Sequence, residues 1–322
     1  MQRRRSETKL ILVTRPTRVA ELRRRFSTKS QARFYVSRLG QDFSDYEEED
    51  AGYTEAVRAT QETLEELGRV QSIDRSFLPN FVFGPGEVVI VLGQDGLVAN
   101  TVKYLNGQPV VGVNPDPARW DGKLLPFQVG DLNKIVWEVI QGKRPTKAVT
   151  MAQATLNTGQ TLYAVNDLFI GPRSHGSARY SLQVGSRTEN QSSSGVIVST
   201  GLGSTGWFTS LMTGAAAIAA AQLPFFGPPQ RLQPAQPMIP AFDFPWDSPQ
   251  LFFTVREPFP SRTSQVSLVF GRITAKEPLI MVSQMPENGV IFSDGIETDF
   301  LEFRSGTRAT LGIADKQGRL VV

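Results

Sequence analysis

Residues 87–105 constrain this chain more tightly than any other segment. An apolar, β-branched run (Val88-Val89-Ile90-Val91-Leu92) stops at Gly93-Gln94-Asp95-Gly96, and Leu97, Val98, Thr101, Val102 and Leu105 then recur at helical spacing. A strand, a tight glycine turn and a helix start in that order form a cradle for anions. Free N–H groups at the turn and at the helix N-terminus point the same way and carry partial positive charge. A lone carboxylate, Asp95, among donors suited to phosphate suggests a task such as taking a proton from a hydroxyl that attacks a phosphoryl group. The competing structural reading is a helix cap or an Asx turn. The segment alone favours neither.

Size allows a real core. The 322 residues suit one large or two ordinary domains. No apolar run approaches the roughly 18 residues of a membrane span, and the arginine-rich start leads into a strand-like segment at 10–14 rather than a signal sequence. The chain has no cysteine, which excludes disulfides and thiolate chemistry; the expected location is the cytoplasm. Net charge is +3, with arginines clustered before residue 39 and acids at 42–50. The sustained basicity and interleaved aromatics of a nucleic-acid binder are missing, so paired, solvated helix faces are expected, with neither nucleic acid nor membrane as partner.

Periodicity predicts strands at 10–14, 70–73, 88–92 and 109–113, and helices over 19–39, 53–67 and 129–140. Alternating strands and helices indicate a parallel α/β sheet, whose ligands sit at the carboxyl ends of strands, where Gly93–Gly96 lies. The texture changes near residue 148. Runs at 148–156, 161–170, 178–184, 195–200, 251–255, 266–273, 279–282 and 307–313 predict a mostly β domain. The expected fold is thus α/β + β: an α/β domain over 1–147 and a mostly β domain over 148–322. One helix, 207–221, is expected to close at Pro224. It leads into a proline-rich connection at 222–249, which holds eight prolines.

A second glycine turn lies at Gly201-Leu202-Gly203-Ser204-Thr205-Gly206, between a strand and that helix. It satisfies the dinucleotide pattern formally, but no acidic residue follows about 20 positions on and no parallel strand succeeds the helix. Its content is another helix start with bare N–H groups and two hydroxyls. Two such turns favour a nucleotide or polyphosphate ligand, and the Walker pattern is absent.

Taken together, these turns resemble the NAD kinase family, which shares a Gly-Gly-Asp-Gly turn with diacylglycerol and sphingosine kinases. Its Gly-Gly-Asp-Gly-Thr is similar to Gly93-Gln94-Asp95-Gly96-Leu97, and its Gly-Ile/Val-Asn to Gly112-Val113-Asn114. Its Asn-Glu pair resembles Asn166-Asp167, and its Thr-Pro-Thr-Gly-Ser-Thr-Ala-Tyr resembles residues 200–207. Order and spacing agree over roughly residues 87–215.

The resemblance implies a two-domain kinase, with an α/β nucleotide-binding domain and a β-sandwich-like domain, that binds its substrate between the domains. The 2′-hydroxyl of the adenosine ribose of NAD would attack the γ-phosphoryl of ATP, with Asp95 as general base. Gly93, Gln94, Gly96 and Asn114 would line the nucleotide site. Asn166 and Asp167 would hold ribose hydroxyls, and Thr200, Gly203, Ser204 and Thr205 would take the other ribose or the diphosphate. Mg²⁺ would travel with the donor's phosphates, with no dedicated protein metal site. The family commonly forms dimers or tetramers, and its last residues return to the first domain, which would apply to 318–322. Gln94, Leu97, Asp167, Gly201 and Trp207 depart from the family pattern, and a His-Ser/Thr element late in its β domain has no counterpart. His175, the only histidine, reads as a surface residue. A sugar or polyol kinase of the same architecture, or a non-catalytic nucleotide-binding protein, are the alternatives.

Overall fold

A computed structural model describes residues 6–226 and 243–322. It divides into two compact units, Met1–Ala148 with Gly318–Val322, and Val149–Gln317.

The first unit contains β1 (Lys9–Thr14), α1 (Arg18–Phe26), α2 (Lys29–Arg38), α3 (Ser44–Leu67), β2 (Arg69–Asp74), β3 (Val88–Leu92), α4 (Asp95–Val102), β4 (Pro109–Asn114), the two-residue β5 (Phe127–Gln128) and α5 (Leu132–Ile140). The strands pair in parallel in the order β4-β3-β1-β2, with β5 also beside β4. Parallel strands covered by helices are buried on both faces, which accounts for the near-continuous apolar sequence of β1 and β3; every residue of β3 is buried. Leu12, Ile90 and Val111 pack with Tyr53 and Leu64 of α3 and Ile135 of α5. The chain's last residues join this unit, with Arg319 and Leu320 pairing in parallel with Pro109 and Val110 of β4.

The helical stretch expected over 19–39 is two helices. Ser27 takes a left-handed φ of 64°, and Thr28 then caps α2 by accepting the Gln31 N–H at 3.2 Å. Helix α3 starts at Ser44, nine residues before the expected start. The acidic run 42–50 therefore lies mostly on its first turns, where it meets the arginines: Asp45 pairs with Arg18 and Arg119, and Glu47 with Lys29 and Arg33. Glu49 is different, because it is buried. Its carboxylate pairs with Arg15 at 2.8 Å and accepts the Arg18 N–H at 3.1 Å. The Arg15 guanidinium lies over the Tyr53 ring, and the Tyr53 hydroxyl donates to Leu92 O at the end of β3.

The second unit contains β6 (Thr146–Leu156), β7 (Thr161–Ala164), β8 (Asp167–Pro172), β9 (Ala178–Val184), β10 (Arg187–Ser193), β11 (Val196–Ser199), α6 (Trp207–Phe226), β12 (Gln250–Val255), β13 (Phe270–Thr274), β14 (Leu279–Ser283), β15 (Gly289–Ser293), β16 (Ile296–Glu302) and β17 (Arg308–Val321), whose end enters the first unit. One antiparallel sheet runs β13-β12-β11-β8-β15-β16; in the other, β10-β9-β14-β17 are neighbours and β6 pairs with β17 and β7. Leu168, Ile170, Val198 and Phe253 of the first sheet share a core with Tyr180, Leu182, Met281 and Ala309 of the second. This is a β-sandwich.

Four expectations are corrected. The single strand over 161–170 is interrupted, because Asp294 takes the N–H groups of Val165 and Asn166. Strand β10, Arg-Thr-Glu-Asn-Gln-Ser-Ser, carries no apolar signal; its buried Glu189 and Gln191 are satisfied by hydrogen bonds, including Glu189 to Leu268 N–H at 3.0 Å. That bond and Gln265 N–H to Asn190 O hold 265–268 to β10, which leaves only Phe270–Thr274 as a strand. Helix α6 passes Pro224 to Phe226. Most of the proline-rich connection at 222–249 lies outside the described residues.

Arg15 and Glu49 form a buried pair whose members are 9% and 4% exposed. Breaking such a pair leaves an uncompensated charge. Glu49→Gln is expected to lower unfolding free energy by about 3 kcal/mol, read as a lower urea midpoint at unchanged slope. A loss below about 1 kcal/mol, the range of a surface pair, would contradict this account.

Candidate functional site

In the first unit the glycine turn joins β3 to α4. Gln94 is the N-cap, with extended backbone and no side-chain capping bond. The first bond closed across this start runs from Leu97 N–H to Gln94 O at 2.8 Å, so the N–H groups of Asp95 and Gly96 precede it. Gly96 is exposed, and a Cβ there would meet nothing within 4 Å. Gly93 is held differently: a Cβ there would come within 2.9 Å of Leu97 Cδ2. Leu97 is 5% exposed. The position expected to lack a hydroxyl toward phosphate is thus a core position, filled because Gly93 leaves room for it.

Asp95 is half-buried at the first position of α4. Its Oδ1 accepts the Leu124 N–H at 2.8 Å and its Oδ2 accepts the Lys123 N–H at 3.1 Å. The carboxylate therefore forms neither the helix cap nor the Asx turn of the structural reading. The carboxylate tethers the loop after β4, yet each oxygen keeps a lone pair for a further donor. Asn114 serves the same loop. Its Nδ2 donates to Trp120 O at 2.8 Å and its Oδ1 accepts the Asp116 N–H at 3.0 Å. It is buried, and both ends of its amide shape the loop.

In the second unit the two expected motifs come together. The Thr200 hydroxyl donates to Val165 O at 2.5 Å and accepts the Gly203 N–H at 3.1 Å. A Cβ on Gly203 would lie 2.1 Å from Asn166 O, and one on Gly201 would lie 2.0 Å from Pro245 O. Both glycines are demanded by close backbone approach. Ser204 is fully buried and donates to Gly201 O at 2.8 Å. The polar groups expected on a ligand at Thr200 and Ser204 are therefore spent inside the protein, where they fix the turn. Thr205 is exposed.

Asn166 and Asp167 present the opposite case. The Asn166 side chain is half-buried and makes no hydrogen bond among the described residues. Asp167 is 8% exposed, and its carboxyl likewise has no hydrogen-bond donor among them. Burial, and then the neighbouring Asp294 carboxylate, push it up to about 7. Asp294 is a residue that motif reading missed. Its carboxylate accepts the N–H groups of Val165 at 3.0 Å and Asn166 at 2.6 Å, which sets the corner where Asn166-Asp167 begins β8. The signal was the Asp294-Gly295 pair, whose φ values of 54° and 70° are those of the Asp-Gly hairpin turn between β15 and β16.

Asp167 also lines a cleft of ≈ 530 Å³ with Phe169, Trp207 and Arg256; His175, exposed as expected, is on its wall. Among the described residues no group of three or more His, Asp or Glu side chains could hold a metal ion, and no helix is long and apolar enough to cross a membrane.

No protein-family model and no curated protein sequence matches the chain. Solved structures do. Yeast NADH kinase complexed with NADH aligns over 98% of this chain and 84% of its own, with a TM-score of 0.58 at 14% identity. An NAD kinase from Archaeoglobus fulgidus in complex with ATP aligns over 98% and 94%, with a TM-score of 0.55 at 13% identity. The protein has the two-domain fold of the NAD kinases.

The raised Asp167 carboxyl has a consequence for stability. The folded chain holds a proton that the unfolded chain, at an ordinary carboxylate value near ~4, has released. The contribution is whole below that value and is lost as pH rises toward 7. Asp167→Asn is therefore expected to melt above wild type at pH 8 and level with it near pH 4. An equal difference at both pH values would mean that the carboxyl does not titrate in this range.

Proposed function

We propose that this protein is a kinase that transfers the γ-phosphoryl group of ATP to the 2′-hydroxyl of the adenosine ribose of NAD, giving NADP. The observation that carries this reading is Asp95. A carboxylate stands at the start of α4 among backbone donors, in a chain whose fold matches NAD(H) kinases over 98% of its length.

In this reading the exposed edge of the turn at Gly96 and the N–H groups of Asp95 and Gly96 receive phosphate oxygens, favoured by the helix dipole. Gln94, which does not cap its helix, is free to reach the same phosphates. Lys123 and Leu124 hold the Asp95 carboxylate in place, so its orientation is set before substrate arrives. Its remaining lone pairs accept the proton of the attacking hydroxyl. Asn166 and Asp167 bond ribose hydroxyls, with Thr205 beside them, while Thr200, Gly203 and Ser204 keep the turn rigid. A Mg²⁺ ion would travel with the donor's phosphates and would supply positive charge there.

A sugar or polyol kinase is the second reading, favoured by Trp207, whose exposed ring stands where the family pattern has a tyrosine. Incubation with ATP and Mg²⁺ against NAD, NADH and simple sugars separates the two by product. Release of ADP with NAD or NADH supports the first; turnover confined to a sugar supports the second; none at all leaves a binding protein.

Asp95→Asn tests the base directly. An asparagine offers one acceptor where the carboxylate offers two, so one loop bond is lost, at about 1–3 kcal/mol for an unsatisfied donor. Turnover is expected to fall by about 10²–10⁴-fold while the protein remains folded by circular dichroism. A rate within about twofold of wild type, measured well below the melting temperature, would remove Asp95 from the proton transfer.

A further inference from the structure

Arg256 is left unused by the chemistry above, although it faces the same cleft as Asp167. The cleft has an aromatic floor: Phe169 stacks with Trp207, centroids 5.7 Å apart, and with Phe292 at 6.1 Å. The Arg256 guanidinium carbon lies 5.1 Å from the Trp207 ring centroid and 5.8 Å from that of Phe169. Its Nε is buried and has no hydrogen-bond partner, and the side chain forms no ion pair, among the described residues.

The backbone holds it there. Arg256 N–H donates to Gly195 O at 2.8 Å, and Ser194 N–H donates to Arg256 O at 2.9 Å. The next residue, Glu257, sits at a φ of 47° and accepts a hydrogen bond from the Ser194 hydroxyl. A left-handed glutamate is a strained choice that persists only where its surroundings enforce it. The cleft is not uniformly basic: Asp167, Glu257 and Glu297 face it, and its other arginine, Arg173, lies 4.0 Å from the Phe300 ring centroid. An anion is therefore read at one point. Ring faces compensate only part of the desolvation of a guanidinium, and its planar fork of donors suits phosphate.

We propose that Arg256 is a specificity-determining residue that recognises a phosphate group carried by a planar ring stacked on the Trp207–Phe169 floor, so that the cleft selects nucleotides over nucleosides. This rests on the reading of Asp167 as part of the acceptor site.

Calorimetric titration of the full chain with adenosine and with AMP tests it. Wild type is expected to bind AMP about tenfold or more tightly than adenosine, the size of one charge-assisted contact, with the preference shrinking as salt rises. Arg256→Gln is expected to bring AMP down to the level of adenosine while adenosine binding stays within about twofold. Arg256→Lys, which keeps the charge but loses the fork, should retain part of the preference and stands in if the glutamine variant melts early. Equal binding of the two ligands by wild type, no binding of AMP at millimolar concentration, or full preference in Arg256→Gln would overturn the proposal. Turnover is read in parallel. A lost preference in Arg256→Gln with no NAD phosphorylation by any protein sinks the kinase reading alone; an intact preference in that variant, with NAD phosphorylated, sinks this one alone.

Discussion

Backbone N–H groups outside the sheet ladders need acceptors, and at each candidate site of this protein one aspartate takes two of them. Asp95 takes the N–H groups of Lys123 and Leu124; Asp294 takes those of Val165 and Asn166. Each ties a loop that cannot join a sheet ladder to the end of a regular element. The same device recurs away from the sites, where Glu189 holds Leu268 and Glu49 accepts the Arg18 N–H while pairing with Arg15. Turns built this way are stiff, because releasing them strands both the donors and a carboxylate. That stiffness is what a phosphate cradle requires, since preorganised donors need no rearrangement when charge develops.

The distribution of polar groups divides the motif residues into two kinds. Thr200, Ser204 and Asn114 satisfy carbonyls and N–H groups of their own chain, and Gly201 and Gly203 exist to let backbone approach backbone. These residues make the shape. Asn166, Asp167 and Thr205 carry polar groups that the described protein leaves available, and Asp95 does both jobs at once. Electrostatics separates the two acids further. Asp95 meets only N–H donors, whereas Asp167 meets burial and a second carboxylate and is pushed up to about 7.

The departures from the family pattern also gain physical meaning. Leu97 is a core residue that closes over Gly93. Gly201 stands where a side chain would strike Pro245 O, so the loss of the family's proline reflects local packing. Trp207 offers a broader ring than tyrosine to the Phe169 stack and to the Arg256 guanidinium.

What the sequence determined by itself was local. The β3–turn–α4 unit, the parallel α/β half and the change to β structure near residue 148 were legible, because periodicity, glycine and β-branching act within a few residues. So was the order of the glycine turns. What stayed hidden depends on distant partners. Polar β10 is a strand because β9 pairs with all of it and its buried side chains are bonded. Asp294 lies 128 residues from Asn166, to whose N–H it is bonded, and Arg256 reaches Phe169 only across strands of a folded sheet. Spacing along the chain carries propensity, but whether a donor finds its acceptor, or a charge its counter-charge, is decided by which surfaces exclude water together, and only the tertiary structure settles that.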